Sequence, residues 1–182
     1  MPLPHWDYFL AIEADLANCA RYIDFTNDDN MKAHSIEFAQ LILRSCAEID
    51  VVGRSLTDID KGKWLALRCQ FPNMASRKIA IPRYELTFIP WKSWQSNDAN
   101  AKPEWWTAYE NIKHDREANS TDANLKNALT AVAGLLVIVL ERFEKLQIPS
   151  LTIDLAPRIL DIVTSDDEGV QGASISWDYR AR

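Results

Sequence analysis

Ala128-Leu129-Thr130-Ala131-Val132-Ala133-Gly134-Leu135-Leu136-Val137-Ile138-Val139-Leu140 is the stretch that decides the fold class of this chain. None of these thirteen residues carries a charge. The run is too short to span a bilayer as a helix, which takes ~20 apolar residues. It sits inside a longer period instead: Leu125, Leu129, Val132, Leu136, Val139 and Phe143 recur at spacings of three and four. That spacing predicts a helix over about 122–146. Its middle is apolar nearly all round, so it is expected to be the most buried element.

Upstream of this helix, Asn119-Ser120-Thr121-Asp122 reads as a break with capping chemistry. Before the break, Pro103 opens another helix, which runs to about Arg116 or Ala118. Proline suits the first helical position, and Glu104 complements the positive helix end. At the start of the chain, Tyr8, Phe9, Ile12, Leu16, Cys19, Tyr22 and Ile23 predict a helix over 5–25. A polar turn at Thr26 to Asn30 follows. Phe38, Leu41, Ile42, Cys46, Ile49 and Val52 predict a second helix over 34–56, with Ser35 as a plausible N-cap. Two helices joined by a short polar turn should pack antiparallel.

Residues 57–102 change character. Pro72, Pro82 and Pro90 interrupt long helices, and this stretch reads as an irregular insert. Lys78 to Ile81 and Tyr84 to Ile89 are β-like within it. Residues 147–182 form a short C-terminal extension. Leu151 to Leu155 and Ile175 to Tyr179 alternate as in a small hairpin or arm, and Ile159 to Val163 is a short apolar segment. The expectation is a mainly α protein, an antiparallel four- to five-helix bundle over 1–146 with an irregular, β-like insert.

Composition bounds the function. With 182 residues, 47% of them hydrophobic, the chain can fill one core. A net charge of -6 argues against a broadly basic nucleic-acid surface. Three cysteines, an odd number with no C-x-x-C, argue against a disulfide framework and fit a reducing cytoplasm. The N-terminus has neither a basic region nor an apolar core and does not read as a signal peptide. His5, His34 and His114 are isolated, so no metal site is expected. Five glycines without a phosphate-cradling motif leave no cofactor expected.

The densest chemistry lies in Trp105-Trp106-Thr107-Ala108-Tyr109-Glu110-Asn111-Ile112-Lys113-His114-Asp115-Arg116. On a helix, Glu110 and His114 share a face, Tyr109 and Lys113 share the next one, and so do Lys113 and Arg116. Lys113 and Arg116 could hold a phosphate, and His114 could serve as a general acid or base in metal-free RNA cleavage. The bland reading competes: a lone histidine among charges on a helix is usually a surface residue. Paired tryptophans beside a proline-rich loop more often pack than stack on bases. Glu48 and Asp50 are further acid/base candidates. Being two apart they cannot face the same way, and Glu48 is the expected buried partner of Lys113 or His114.

The order of an antiparallel helix pair, an aromatic insert, a Trp-Trp-x-x-Tyr-x-x-x-Lys-His-Asp-Arg helix and an apolar last helix resembles bacterial HEPN-like proteins. The resemblance is closest to members with a Tyr-Asn-x-x-Lys-His block. Ser45 to Asp50 is similar to their second-helix block, and the resemblance covers about residues 6–146. It implies a homodimer with its site at the dimer cleft. It also implies either a metal-independent ribonuclease of toxin–antitoxin or phage-defence systems, or a non-catalytic module that binds partners or nucleotides, with RNA or an antitoxin-like protein as the candidate partner here. His114 and Lys113 match the family pattern. The ribonuclease arginine does not, because Thr107, Ala108 and Tyr109 occupy its positions. Glu110 stands where the block has asparagine, and Asn111 follows one place later. The expectation is therefore a non-catalytic or weakly catalytic binding module. The alternative is a ribonuclease using His114 with Lys113 and Arg116, supported by Tyr109, Glu110, Asn111, Glu48 and Asp50.

Overall fold

The computed structural model describes residues 3–59, 62–147 and 156–163. Within them the chain is mainly helical: α1 Pro4–Cys19, α2 Ile36–Thr57, α3 Lys63–Gln70, α4 Glu104–His114 and α5 Leu125–Lys145. A small antiparallel sheet accompanies them, with β1 Ile79–Ile81 between β2 Leu86–Phe88 and β3 Asp161–Ile162.

Helix α5 is the hub that its apolar run predicts. Every residue from Ala131 to Glu141 is buried. Its first turn is capped by Asn124, whose side chain accepts from Asn127 N–H at 2.9 Å. Ser35 caps α2 in the same way, accepting from Phe38 N–H at 3.1 Å. The two caps lie side by side, because Ser35 N–H donates to Ala123 C=O and Leu125 N–H to Ala33 C=O. At the other end, Lys145 Nζ donates to Leu56 C=O at 2.5 Å, and Arg142 Nε reaches Ser55 Oγ. Helices α2 and α5 therefore run parallel along their length, which corrects the expectation of a wholly antiparallel arrangement. The physical reason is that the long intervening chain, 58–124, returns to the start of α2 before α5 begins. A short turn would force the opposite direction.

The order of contacts between α1 and α2 is antiparallel as expected: His5 meets Glu48, and Asp15 meets Arg44. Helix α1 is shorter than its apolar spacing suggests. It ends at Cys19, leaving Tyr22 85% exposed, while Glu13 is buried on the core face. Asp24 accounts for the early stop. Its carboxylate accepts from both the amide and the hydroxyl of Thr26, at 2.8 and 2.7 Å, and its carbonyl accepts from Asn30 Nδ2. Such local side-chain bonding competes with helix. Phe25 enters the core in place of Tyr22, fully buried and 5.3 Å from the Tyr84 ring.

The insert holds more regular structure than its prolines suggest, since α3 occupies Lys63–Gln70 ahead of Pro72. The two β-like segments do pair, with Ile79 opposite Phe88 and Ile81 opposite Leu86. Ile79 also lies opposite Ile162, so part of the C-terminal extension completes the sheet. Glu13 holds that segment in place: its Oε1 accepts from Ile159 N–H at 2.6 Å and from Leu160 N–H at 3.2 Å. The alternating stretches at 151–155 and 175–179 lie outside the described residues.

Candidate functional site

Helix α4 carries most of the residues singled out by sequence. Pro103 stands at its N-cap with φ -59°, and Glu104 pairs with Lys126 of α5 at 2.6 Å. Trp105 and Trp106 are buried, as packing residues should be. Tyr109 lies 5.0 Å from the Trp106 ring, and Lys113 Nζ sits 5.4 Å above Tyr109, so the expected pairing of these two faces is present.

The other expected partnerships are not formed. Glu110 turns back to Lys102, at 2.8 Å, and accepts from the Trp106 indole at 3.3 Å. It does not bond His114. Asn111 donates its amide to Asp122 at 2.8 Å, tying α4 to the turn before α5. Helix α4 ends at His114, before Arg116, so Lys113 and Arg116 do not share a helical face. Side chains again cause the stop: Asp115 Oδ1 accepts from Ala118 N–H, and Asn119 Nδ2 donates to Asp115 C=O at 2.7 Å. Lys113, His114 and Arg116 are all exposed.

Glu48 and Asp50 diverge, as residues two apart on a helix must. Glu48 faces α1 and pairs with His5 Nδ1 at 2.6 Å, rather than with Lys113 or His114. Asp50 faces α3 and holds Lys63 at 2.5 Å and Arg54 at 2.6 Å. Both carboxylates are thus engaged in holding helices together. Neither Cys19 nor Cys46 offers a poised thiolate. Burial pushes the Cys46 thiol well up, and burial raises Cys19 as well, with Glu37 and Asp15 adding to the effect.

A concave feature lies at the other end of α4. Trp64, Trp91, Trp94 and Trp106 wall a groove of about 210 Å³, with Arg68 and Lys102 among its lining residues. The rings pack edge to face: Trp64 and Trp106 are 4.5 Å apart at 68°, and Trp91 and Trp105 are 5.0 Å apart at 88°. The buried indoles are anchored to backbone, Trp91 Nε1 to Gly134 C=O at 3.1 Å and Trp105 Nε1 to Pro90 C=O at 2.8 Å. The groove is therefore preformed. Arg68 fixes the loop that forms one side of it, donating to the Asp98 carbonyl at 2.7 Å and also to the Ser96 carbonyl.

Sequence reading treated these insert aromatics as packing and missed the groove they enclose. The available signal was the tryptophan count, seven in 182 residues, with five of them at 64–106. Among the described residues no group of His, Cys, Asp and Glu is arranged to hold a metal ion, and no helix is long and apolar enough to cross a membrane. No family model, curated protein or solved structure matches the chain. The HEPN-like resemblance therefore rests on the residues quoted from this chain alone.

Proposed function

We propose that the chain is a HEPN-like helical binding module, non-catalytic or weakly catalytic, whose binding surface is the tryptophan-walled groove beside α4. The observation that carries this reading is the setting of His114. General acid/base catalysis needs an imidazole held within hydrogen-bond reach of its reacting group and oriented by a further partner. His114 is exposed on the last turn of α4, and among the described residues it has no hydrogen-bond or ion-pair partner. The carboxylates proposed to orient it are committed to Lys102 and His5. The arginine that the family's nucleases place before their histidine is absent. The setting implied by the resemblance is a homodimer in a bacterial cytoplasm, within a defence or toxin–antitoxin system.

A ribonuclease reading draws on one observation, the exposure of Lys113, His114 and Arg116 within four positions. In a homodimer, two such clusters could face one another. The test is incubation of the purified protein, and of His114→Ala, with total RNA in EDTA. The module reading expects intact RNA from both. Cleavage by the wild type that His114→Ala abolishes would overturn it in favour of the nuclease.

A further inference from the structure

We infer that the groove walled by Trp64, Trp91, Trp94 and Trp106 is a site for a small planar aromatic ligand that carries an anionic group. The inference rests on the reading of this groove as the binding surface and adds the ligand's chemistry to it. Three observations define that chemistry.

The first is the wall. Four indoles line one cavity, Trp64 half-buried and Trp91, Trp94 and Trp106 buried, and two of them are anchored by hydrogen bonds, Trp91 to the backbone and Trp106 to Glu110. The rings already contact one another, Trp64 and Trp106 edge to face at 4.5 Å and Trp91 and Trp94 tilted at 4.4 Å. A ligand ring would therefore lie against the exposed part of this wall, where Trp64 is the half-buried ring, rather than slide between them. The second is size. A cavity of about 210 Å³ falls below the ~300–1,000 Å³ of sites for drug-sized molecules, so it suits one ring system with its substituent at the mouth.

The third is charge. An aromatic wall alone would equally suit a quaternary ammonium, which such cages bind through the ring faces. Among the described residues, the charged ones lining the groove are Arg68 and Lys102, and no carboxylate lines it. Lys102 is balanced by Glu110, at 2.8 Å. Arg68 spends two N–H groups on the Ser96 and Asp98 carbonyls, and a guanidinium carries five. Among the described residues its charge is not paired with any acidic side chain. It remains a donor for a carboxylate or phosphate at the mouth, and it would repel a cation.

Isothermal titration of the full chain separates the possibilities with probes that share a ring. Indole-3-acetate is the aromatic anion, tryptamine the same ring with an ammonium, and adenosine monophosphate a base with a phosphate. The expected result is saturable binding of indole-3-acetate or of the mononucleotide, with tryptamine at least about tenfold weaker, the effect of one charge-assisted contact. Which anion binds distinguishes an aromatic carboxylate from a nucleotide as the source. Ala99→Trp places a ring in the groove from an exposed loop position, so the fold is spared. This variant should keep the wild-type circular dichroism spectrum and lose the binding. Tryptamine binding as tightly as the anions, or undiminished anion binding by folded Ala99→Trp, overturns the proposal. Absence of heat with every probe overturns both the ligand class and the groove as the binding surface. RNA cleavage is a separate readout and bears only on catalysis.

Discussion

Replacing Gly134 by alanine should destabilise the protein, although the same change at Gly53 should not. Both glycines lie inside helices, where glycine is ~0.8–1 kcal/mol worse than alanine. Propensity therefore favours alanine at both places, and packing decides the sign. At Gly134 an added Cβ would stand 2.9 Å from Trp105 Cζ2 and 3.3 Å from Cε2. That is about 0.6 Å short of the ~3.5 Å at which carbon atoms rest comfortably. The ring cannot retreat cheaply. Trp105 is 2% exposed, its indole N–H is bonded to Pro90 C=O, and Trp91 stands edge-on at 5.0 Å. Overpacking of this kind costs ~1–3 kcal/mol. Less the gain in propensity, the net loss is up to about 2 kcal/mol, or as much as ~8 °C in Tm for a chain of this size. At Gly53 the closest atom is Leu67 Cδ1 at 3.1 Å, the end of a side chain that can rotate by the few tenths of an ångström required. Thermal and urea unfolding followed by circular dichroism would measure both variants. The double variant Gly134→Ala/Trp105→Phe, which shortens the obstructing ring, should cost less than the sum of the two single changes. Gly134→Ala as stable as the wild type, or Gly53→Ala falling as far as Gly134→Ala, would refute the packing argument.

Three further outcomes follow from the same contacts. Burial raises the Glu141 carboxyl from 4.5 to about 7, against the opposing pull of Arg77. The unfolded chain thus releases this proton first. The contribution of Glu141 is fully present below pH 4.5 and is lost as the pH rises to about 7. Glu141→Gln should flatten the wild-type fall in unfolding free energy across that window, a fall of at most ~3 kcal/mol. An unchanged slope would contradict the assignment. Glu13→Ala removes the acceptor of the Ile159 and Leu160 amides and should speed hydrogen exchange at both, while Glu13→Gln, which keeps an acceptor oxygen, should largely preserve their protection. Equal exchange in the two variants would rule out the clamp. Asn124→Ala deletes the α5 cap and should cost ~1 kcal/mol in urea unfolding, with Ser35→Ala on α2 costing a similar amount.

Much of the fold was legible because the deciding forces are local. The period of three and four that marks α5 follows from helix geometry alone, and the residues it selects are buried. Ser35 caps α2 because a short hydroxyl side chain before an apolar helix can reach the Phe38 amide wherever that helix lies. The paired β segments of the insert carry their own composition. Errors came where local side-chain bonds opposed a periodic pattern. Asp24 stops α1, which takes Tyr22 off the core face, and Asp115 stops α4, which separates Lys113 from Arg116.

The candidate site divides along the same line. Residue types and spacing were enough to place Tyr109 beneath Lys113 on α4 and to send Glu48 and Asp50 of α2 in different directions. Nothing local could show that Glu110 would bind Lys102, or that His114 would face solvent without a partner, because those outcomes depend on where the insert loop and α1 come to rest. The groove is the clearest case. Trp64 comes from α3, Trp91 and Trp94 from the turn after β2, and Trp106 from α4. Each tryptophan, taken singly, reads as core. What brings them together is the return of residues 58–124 to the start of α2, which lets α5 run parallel to α2 and sets α4 against both. Sequence alone therefore determined α1, α2, α4 and α5 and most of what they bury, but not α3 or the early end of α1. Tertiary structure alone decided which side chains meet, since that depends on contacts between residues far apart in the chain.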